Sequence, residues 1–122
     1  VGDILVTMDG SVGRTAKVCD TNQILAQRVA RLAANIEPEF LYQALNTGVF
    51  LEQMAIRSSG GTIKHISLNE IGNYQFLTPS DLEEQKLIGA YFENFDTLIS
   101  SHAAQLLKLR QIKSAFQDAM FV

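Results

Sequence analysis

Residues 80–122 read SDLEEQKLIGAYFENFDTLISSHAAQLLKLRQIKSAFQDAMFV, and this stretch predicts one long helix. No proline follows Pro79, so nothing in the stretch forbids an unbroken helix. We expect Ser80 to cap the amide of Glu83 while the Glu83 carboxylate reaches back, which is a capping box. Roughly 40 residues at about 1.5 Å rise make a helix of about 60 Å, more than one small domain covers with its own core.

Apolar residues recur along this helix at alternating steps of four and three, which is a heptad pattern. We call this row the seam, and its members are Ile88, Phe92, Phe95, Ile99, His102, Leu106, Leu109, Lys113, Phe116 and Met120. A second row, formed by Tyr91, Leu98 and Ile112 with Leu107 nearby, widens the apolar stripe. A coiled coil, a helical bundle and a long amphipathic helix packed on its own domain all fit the pattern, and packing against a partner is favoured. The polar residues His102 and Lys113 are expected to set register or to pair across that interface.

Composition limits the class of protein. The 122 residues, 47% of them hydrophobic, suffice for one domain or for one domain with an extension. A formal charge of −3 argues against coating nucleic acid through bulk electrostatics, although a local basic edge can exist on an acidic molecule. Cys19 has no second cysteine for a disulfide or a metal site, which indicates an intracellular protein. We expect Cys19 itself to be a small buried side chain in an apolar strand. No apolar run reaches the roughly 20 residues of a membrane span, so we expect a cytoplasmic protein.

The first 79 residues predict a small globule that mixes strands and helices. Strands are predicted at 4–8, 14–19 and 26–32, as an antiparallel meander with turns at 9–13 and 20–22. Gly10 and Gly13 are expected to supply the positive-φ positions of the first turn. The chain begins inside a strand pattern without an initiator methionine, so we expect a fragment or a trimmed product.

Helical segments follow these strands. One is predicted from Pro38, which fits a first helical position, to residue 47, with Gly48 as its stop. Another is predicted at 50–57, with an inner face of Leu51, Met54 and Ala55. A capping box at 67–70 opens a single-turn helix, and the alternation at 73–78 predicts one more strand. The predicted fold is therefore α+β, with a mixed sheet-and-helix globule in residues 1–79 and a long helix in 80–122.

Nothing in the sequence forms a catalytic constellation. Only His65 and His102 could do acid-base chemistry near neutral pH. There is no paired Cys/His spacing, no Gly-x-Ser-x-Gly and no His-Glu-x-x-His, and the glycines at 10–13 lack the ending of a phosphate-binding loop. We therefore predict a protein that is not an enzyme and has neither a metal site nor a cofactor.

The stretch RSSGGTIKH at 57–65 joins a flexible loop to two cations, hydroxyls and a histidine, the residue types that touch phosphates and base edges. On these residues alone an ordinary polar loop is the favoured interpretation. Arg14 and Lys17 flank the first turn and could also meet phosphate, with a solvated strand edge as the alternative.

Three motifs in fixed order resemble the specificity subunit of type I restriction-modification systems. They are Val1–Val6 with the turn Gly10–Gly13, then Gly61–Ile66, then Pro79 with Leu82–Ile88. The most specific part of this resemblance is the segment Thr-Ile-Lys-His, which leads through a short strand into Pro and Leu-Glu-Glu-Gln. The resemblance covers essentially the whole chain.

The resemblance implies a function. Subunits of that family hold two target recognition domains, each followed by a long helix, and the two helices pack antiparallel. Each domain reads one half of a split site in double-stranded DNA, and the subunit is a non-catalytic scaffold for methyltransferase subunits. By this resemblance residues 1–79 are the carboxyl-terminal part of one recognition domain, residues 80–122 are the spacer helix, and a second copy could pair through that helix as a homodimer.

The resemblance also ranks the candidate site residues. It makes the loop the best DNA-contact candidate through Arg57, Ser59, Lys64 and His65, with Arg14 and Lys17 behind. Recognition domains of the family begin upstream of the first strand here, so the chain would hold only part of the DNA face. The alternative is a protein-interaction module that self-associates or binds a partner through the long helix, without sequence-specific DNA binding.

Overall fold

A computed structural model describes residues 2–20, 22, 28–33 and 35–121. Within these residues the chain forms a small antiparallel sheet, three short helices and a long C-terminal helix, which confirms the predicted α+β class. The strands are β1 (Ile4–Thr7), β2 (Thr15–Lys17) and β3 (Val29–Leu32). The helices are α1 (Pro38–Leu45), α2 (Gly48–Arg57), α3 (Leu68–Gly72) and α4 (Leu82–Met120).

β1 is the central strand of the sheet, whose order is β2-β1-β3. Val6 lies opposite Thr15 on one side and Ala30 on the other, both in antiparallel register. The predicted meander is wrong, because a meander would place β2 in the middle. β1 carries the fully buried Ile4 and Val6, whereas β2 has no buried residue and suits an edge. Residues 26 and 27 of the predicted third strand lie outside the described residues.

The turn between β1 and β2 needs its glycines, as predicted. Gly10 has φ +71° and Gly13 has φ +83°, both in the left-handed region. A Cβ added at Gly13 would lie 2.7 Å from Met54 Cβ, so this glycine also allows the turn to pack closely on α2. Cys19, expected to be buried in the second strand, lies two residues beyond the end of β2 and is exposed.

The boundary between α1 and α2 differs from the predicted one. The Thr47 hydroxyl accepts a hydrogen bond from the Phe50 amide at 3.2 Å, so it caps α2 and makes Gly48 the first residue of that helix. α1 has already ended at Leu45. The buried face of α2 consists of Phe50 and the predicted Met54, while the predicted Leu51 and Ala55 are exposed.

The core lies between one face of the sheet and the short helices. Its buried members are Ile4, Val6, Met8, Val12, Ala30, Leu41, Leu45, Phe50, Met54, Ile66 and Ile71. The predicted strand at 73–78 is absent, and that part of the described chain packs through its rings instead. Tyr74 contacts Phe50 edge-on at 5.0 Å between centroids and stacks on Phe76 at 5.7 Å.

The long helix begins slightly later than predicted. Asp81, not Ser80, caps it, because Asp81 Oδ1 accepts from the Glu83 amide at 3.1 Å. Its first two turns pack on the start of α1 through Gln85 and Gly89, which are both buried. The prediction of one long unbroken helix is confirmed, and its 39 residues correspond to about 58 Å.

The chain divides into two compact units, Val1–Ala90 and Tyr91–Val122. The first unit contains the sheet, α1 to α3 and the start of α4. The second unit is the rest of α4, where Tyr91 contacts Phe95 edge-on at 5.1 Å between ring centroids. The predicted division at residue 79 concerns function and stays a prediction.

Candidate functional site

One end of the sheet carries two arginines on either side of the central strand. The Thr7 amide donates to the Arg14 carbonyl at 2.9 Å, and the Met8 amide donates to the Arg28 carbonyl at 3.2 Å. Arg14 and Arg28 therefore flank the end of β1 at backbone positions about 10 Å apart, two strand spacings. Both arginines are exposed.

The glycine loop is fastened to the same end of the sheet. Ser59 and His65 exchange two backbone hydrogen bonds, each 2.8 Å long, which close the loop between them. The Gly10 amide donates to the Lys64 carbonyl at 2.9 Å, and the Ile66 amide donates to the Met8 carbonyl at 2.9 Å. The loop is thus held by backbone bonds beside β1. We call the exposed groups Arg14, Arg28, Ser59, Lys64 and His65 the cationic end.

The tip of the loop presents small, apolar and cationic groups to solvent. Gly60 has φ +115°, a conformation that favours glycine and turns the chain sharply. Lys64 Nζ donates to the Gly60 carbonyl at 3.1 Å, which holds the lysine over the loop. Ile63 at the tip is 60% exposed. A phosphate or a base edge could approach this surface without displacing any part of the core.

Asp9 and Arg28 are site residues that the sequence interpretation missed. Asp9 Oδ1 lies 3.0 Å from His65 Nδ1 and 3.7 Å from Arg28 Nη1. In the sequence, Asp9 falls in a predicted turn and Arg28 falls in a predicted strand. Only the pairing of β3 with β1 brings these two residues together, and no local sequence signal predicts that pairing.

Arg57 is adjacent to the cationic end, but its guanidinium group is held by contacts with other residues of the domain. It is the last residue of α2, and its Nη1 donates to the Glu70 carbonyl at 3.3 Å. Its guanidinium carbon lies 5.7 Å from the centroid of the Tyr74 ring, which is a cation–π contact. These contacts link α2 to the segment around α3. A DNA contact by Arg57 stays a prediction.

The structure does not bring Lys17 to the cationic end. Lys17 is at the other end of β2, where it pairs with Ile4. Its Nζ lies 2.8 Å from Glu39 Oε2 and 4.9 Å from the centroid of the Tyr42 ring. Lys17 therefore connects β2 to α1, and its predicted contact with DNA is untested.

The seam lies on α4 and is exposed over most of its length. Ile88 is half-buried in the first unit. The apolar members in the second unit range from 45% exposed at Phe92 to 75% at Met120. His102 and Lys113 are exposed as well. The second unit thus presents an exposed apolar row, interrupted by His102 and Lys113, on one helix, and the sequence predicts this surface for an interface.

Two further features of the described residues bear on the class of site. No group of three or more His, Cys, Asp or Glu side chains among them is placed to hold a metal ion. None of the helices described is both long and apolar enough to cross a membrane.

The fold and this surface define an α+β domain with a cationic edge, followed in sequence by a long amphipathic helix. A family model for the type I restriction modification DNA specificity domain matches residues 1–111, so the chain belongs to that family. This confirms the resemblance seen in the three motifs. The specificity-domain family is non-catalytic, and membership gives the chain a DNA specificity role in type I restriction-modification. No curated protein matches the chain.

Proposed function

We propose that the chain is a DNA-recognition and scaffold subunit, or part of one, that positions methyltransferase subunits on a split DNA site in the cytoplasm. The observation that carries the proposal is the cationic end in a chain of the specificity-domain family. Residues 1–79 supply the recognition surface and residues 80–122 supply the spacer helix. The chain itself performs no chemistry.

The cationic end offers the groups that hold a duplex. Lys64 and Arg14 are exposed cations that suit the phosphate backbone, where contacts position a protein without reading sequence. Ser59 contributes a hydroxyl, and His65 contributes a ring nitrogen that can reach a base edge. The backbone bonds that hold the loop against β1 keep these groups in a defined arrangement.

The test removes two cations of the loop region. Lys64→Ala combined with Arg57→Ala should weaken binding to a DNA duplex and flatten its dependence on salt, because the log–log slope falls by about 0.9 for each phosphate that the protein no longer neutralises. Lys108→Ala, which removes the same charge from an exposed position on α4, should leave affinity and slope unchanged. Titrations at several salt concentrations, followed by fluorescence anisotropy, measure both quantities.

Arg57 contacts α3 and Tyr74, so its loss could disturb the fold. Lys64→Ala alone, which breaks only a bond within the loop, should therefore show about half of the slope change. If the double variant and Lys64→Ala both bind duplex with the original slope, the loop is not part of the DNA face.

A second function is favoured by the seam. We infer that the chain self-associates through α4, or binds a protein partner there, because a long row of exposed apolar side chains on a helix is costly to leave in water. His102 and Lys113 would set the register of that interface. If association through α4 is the only function of the chain, the chain does not need to bind DNA in a sequence-specific way.

Introducing a charge into the seam tests the second function. Leu106→Glu or Phe116→Glu should reduce the mass in solution from an oligomer to a monomer, because a buried carboxylate without a partner is strongly unfavourable. Gln111→Glu places the same group at an exposed position outside both the seam and the second row, and should retain the oligomer. Light scattering gives the mass of each variant. An oligomer that persists in both seam variants would contradict association through this row.

A further inference from the structure

Asp9 is positioned by the backbone between two groups of the cationic end. It forms an isolated antiparallel bridge with His65, flanked by the bonds from Gly10 to Lys64 and from Ile66 to Met8. Its carboxylate oxygen then contacts His65 Nδ1 at 3.0 Å and Arg28 Nη1 at 3.7 Å. One acidic side chain thus touches two side chains on the surface that we assign to DNA.

Stability does not account for this arrangement. The side chains of Asp9, His65 and Arg28 are 33%, 52% and 66% exposed. Ion pairs with this much exposure contribute little to folding, because water screens them. A carboxylate also repels phosphate, so its presence in a surface that binds DNA has a cost for affinity.

We propose that Asp9 is a positioning residue for DNA specificity, a proposal that rests on the function proposed above. Its carboxylate orients the His65 ring and competes with DNA phosphate for the Arg28 guanidinium. With Nδ1 donating to Asp9, the neutral ring keeps Nε2 as an acceptor, and an acceptor can take a hydrogen bond from the amino group of adenine or cytosine. The competition for Arg28 weakens binding that depends on phosphate alone.

The first measurement needs no DNA. The chain has two histidines, so nitrogen chemical shifts of the imidazole rings can be assigned to His65 with a His102→Gln variant. Above neutral pH, His65 should favour the Nδ1–H tautomer in the original chain. Asp9→Ala should move His65 to the Nε2–H tautomer, which is the commoner form of a histidine without such a partner. Asp9→Asn keeps an acceptor oxygen and should preserve the orientation of the ring. An unchanged tautomer in Asp9→Ala would overturn the orienting role.

The second measurement uses a pool of random-sequence duplexes. Asp9→Asn should bind the pool several-fold more tightly and with a salt slope steeper by about 0.9, one additional phosphate contact. Sequences selected from the pool should become less defined. Asp118→Asn removes the same charge from an exposed position of α4 and should change neither quantity. Adding Arg28→Ala to Asp9→Asn should return the slope to its original value. Weaker or unchanged binding by Asp9→Asn would overturn the competition.

The two measurements separate failure of this inference from failure of the proposed function. If the original chain binds the pool with a salt-dependent affinity and Asp9→Asn does not differ from it, the function stands and the competition is wrong. If neither the original chain nor Asp9→Asn binds the pool, the proposed DNA function and the competition are both overturned. The orienting role is then decided by the tautomer alone.

Discussion

At the scale of single residues, Gln85 shows how a polar side chain specifies the start of the long helix. It is 5% exposed, and both polar atoms of its side-chain amide are used. Gln85 Oε1 accepts from the Glu37 amide at 3.1 Å, and Nε2 donates to the Pro79 carbonyl at 2.7 Å. The glutamine of the Leu-Glu-Glu-Gln motif therefore connects α4 both to the start of α1 and to the segment that precedes α4.

Replacing this glutamine should be costly. Gln85→Ala leaves the Glu37 amide and the Pro79 carbonyl without this partner, and buried groups that lose a partner cost about 1–3 kcal/mol. We expect the free energy of unfolding to fall by about 2 kcal/mol in urea denaturation. Gln105→Ala, at an exposed position of the same helix, should change it by less than about 0.5 kcal/mol.

Both Gln variants should be compared at one protein concentration, because association changes apparent stability. Equal effects of Gln85→Ala and Gln105→Ala would show that the two side-chain hydrogen bonds of Gln85 contribute nothing to the stability of the fold.

The residue scale also shows a limit of sequence interpretation. Thr47, Asp81 and Asp9 each belong to a residue type that caps helices or forms turns. The type alone does not decide between Ser80 and Asp81 as the cap of α4, or between Gly48 as an end and as a beginning. Those choices depend on which side chain reaches an amide in the folded chain.

At the scale of elements, the contact between α4 and α1 depends on Gly89. Gly89 is four residues after Gln85 and so lies on the same face of α4. A Cβ added there would be 2.9 Å from the Phe40 amide nitrogen and 3.1 Å from Glu37 Oε2. Glycine inside a helix costs about 1 kcal/mol relative to alanine, and close approach of the two helices accounts for its presence here.

Gly89→Ala should therefore destabilise the chain, although alanine is the better helix former. We expect the free energy of unfolding to fall by about 1 kcal/mol, because the backbone of α1 must move away from the new methyl group. Gly89→Leu should cost more. Ser101→Ala, at an exposed position of the same helix, should be neutral or slightly stabilising.

Thermal and urea unfolding at one concentration measure these differences. An increase in stability with Gly89→Ala would mean that helix propensity outweighs the packing contact, and that α4 does not approach α1 this closely in solution.

At the scale of the whole molecule, the order of the strands assembles the candidate site. β3 pairs with β1 and not with β2, which places Arg28 beside Asp9 and puts the two arginines on either side of the central strand. The loop that closes at Ser59 and His65 then docks on the end of the same strand. A chain with a formal charge of −3 thereby presents a local basic surface.

Four features were predictable from the sequence alone, namely the α+β class, the long helix, the glycine turn and the seam. These features depend on local propensity, on heptad periodicity and on positive-φ glycines, which are properties of short stretches of chain. Three ordered motifs also indicated the family, which the match over residues 1–111 confirmed. The loop at 57–65 was recognised from its residue types, and its contacts with DNA stay a prediction.

The folded structure was needed to establish the strand order, the absence of a strand at 73–78 and the grouping of Asp9 with Arg28 and His65. It also separated Lys17, which pairs with Glu39, from the cationic end. The physical reason is that strand pairing and helix docking join residues far apart in sequence. Burial of Ile4 and Val6 selects β1 as the centre of the sheet, and the grouping of the site residues around its end follows from that choice.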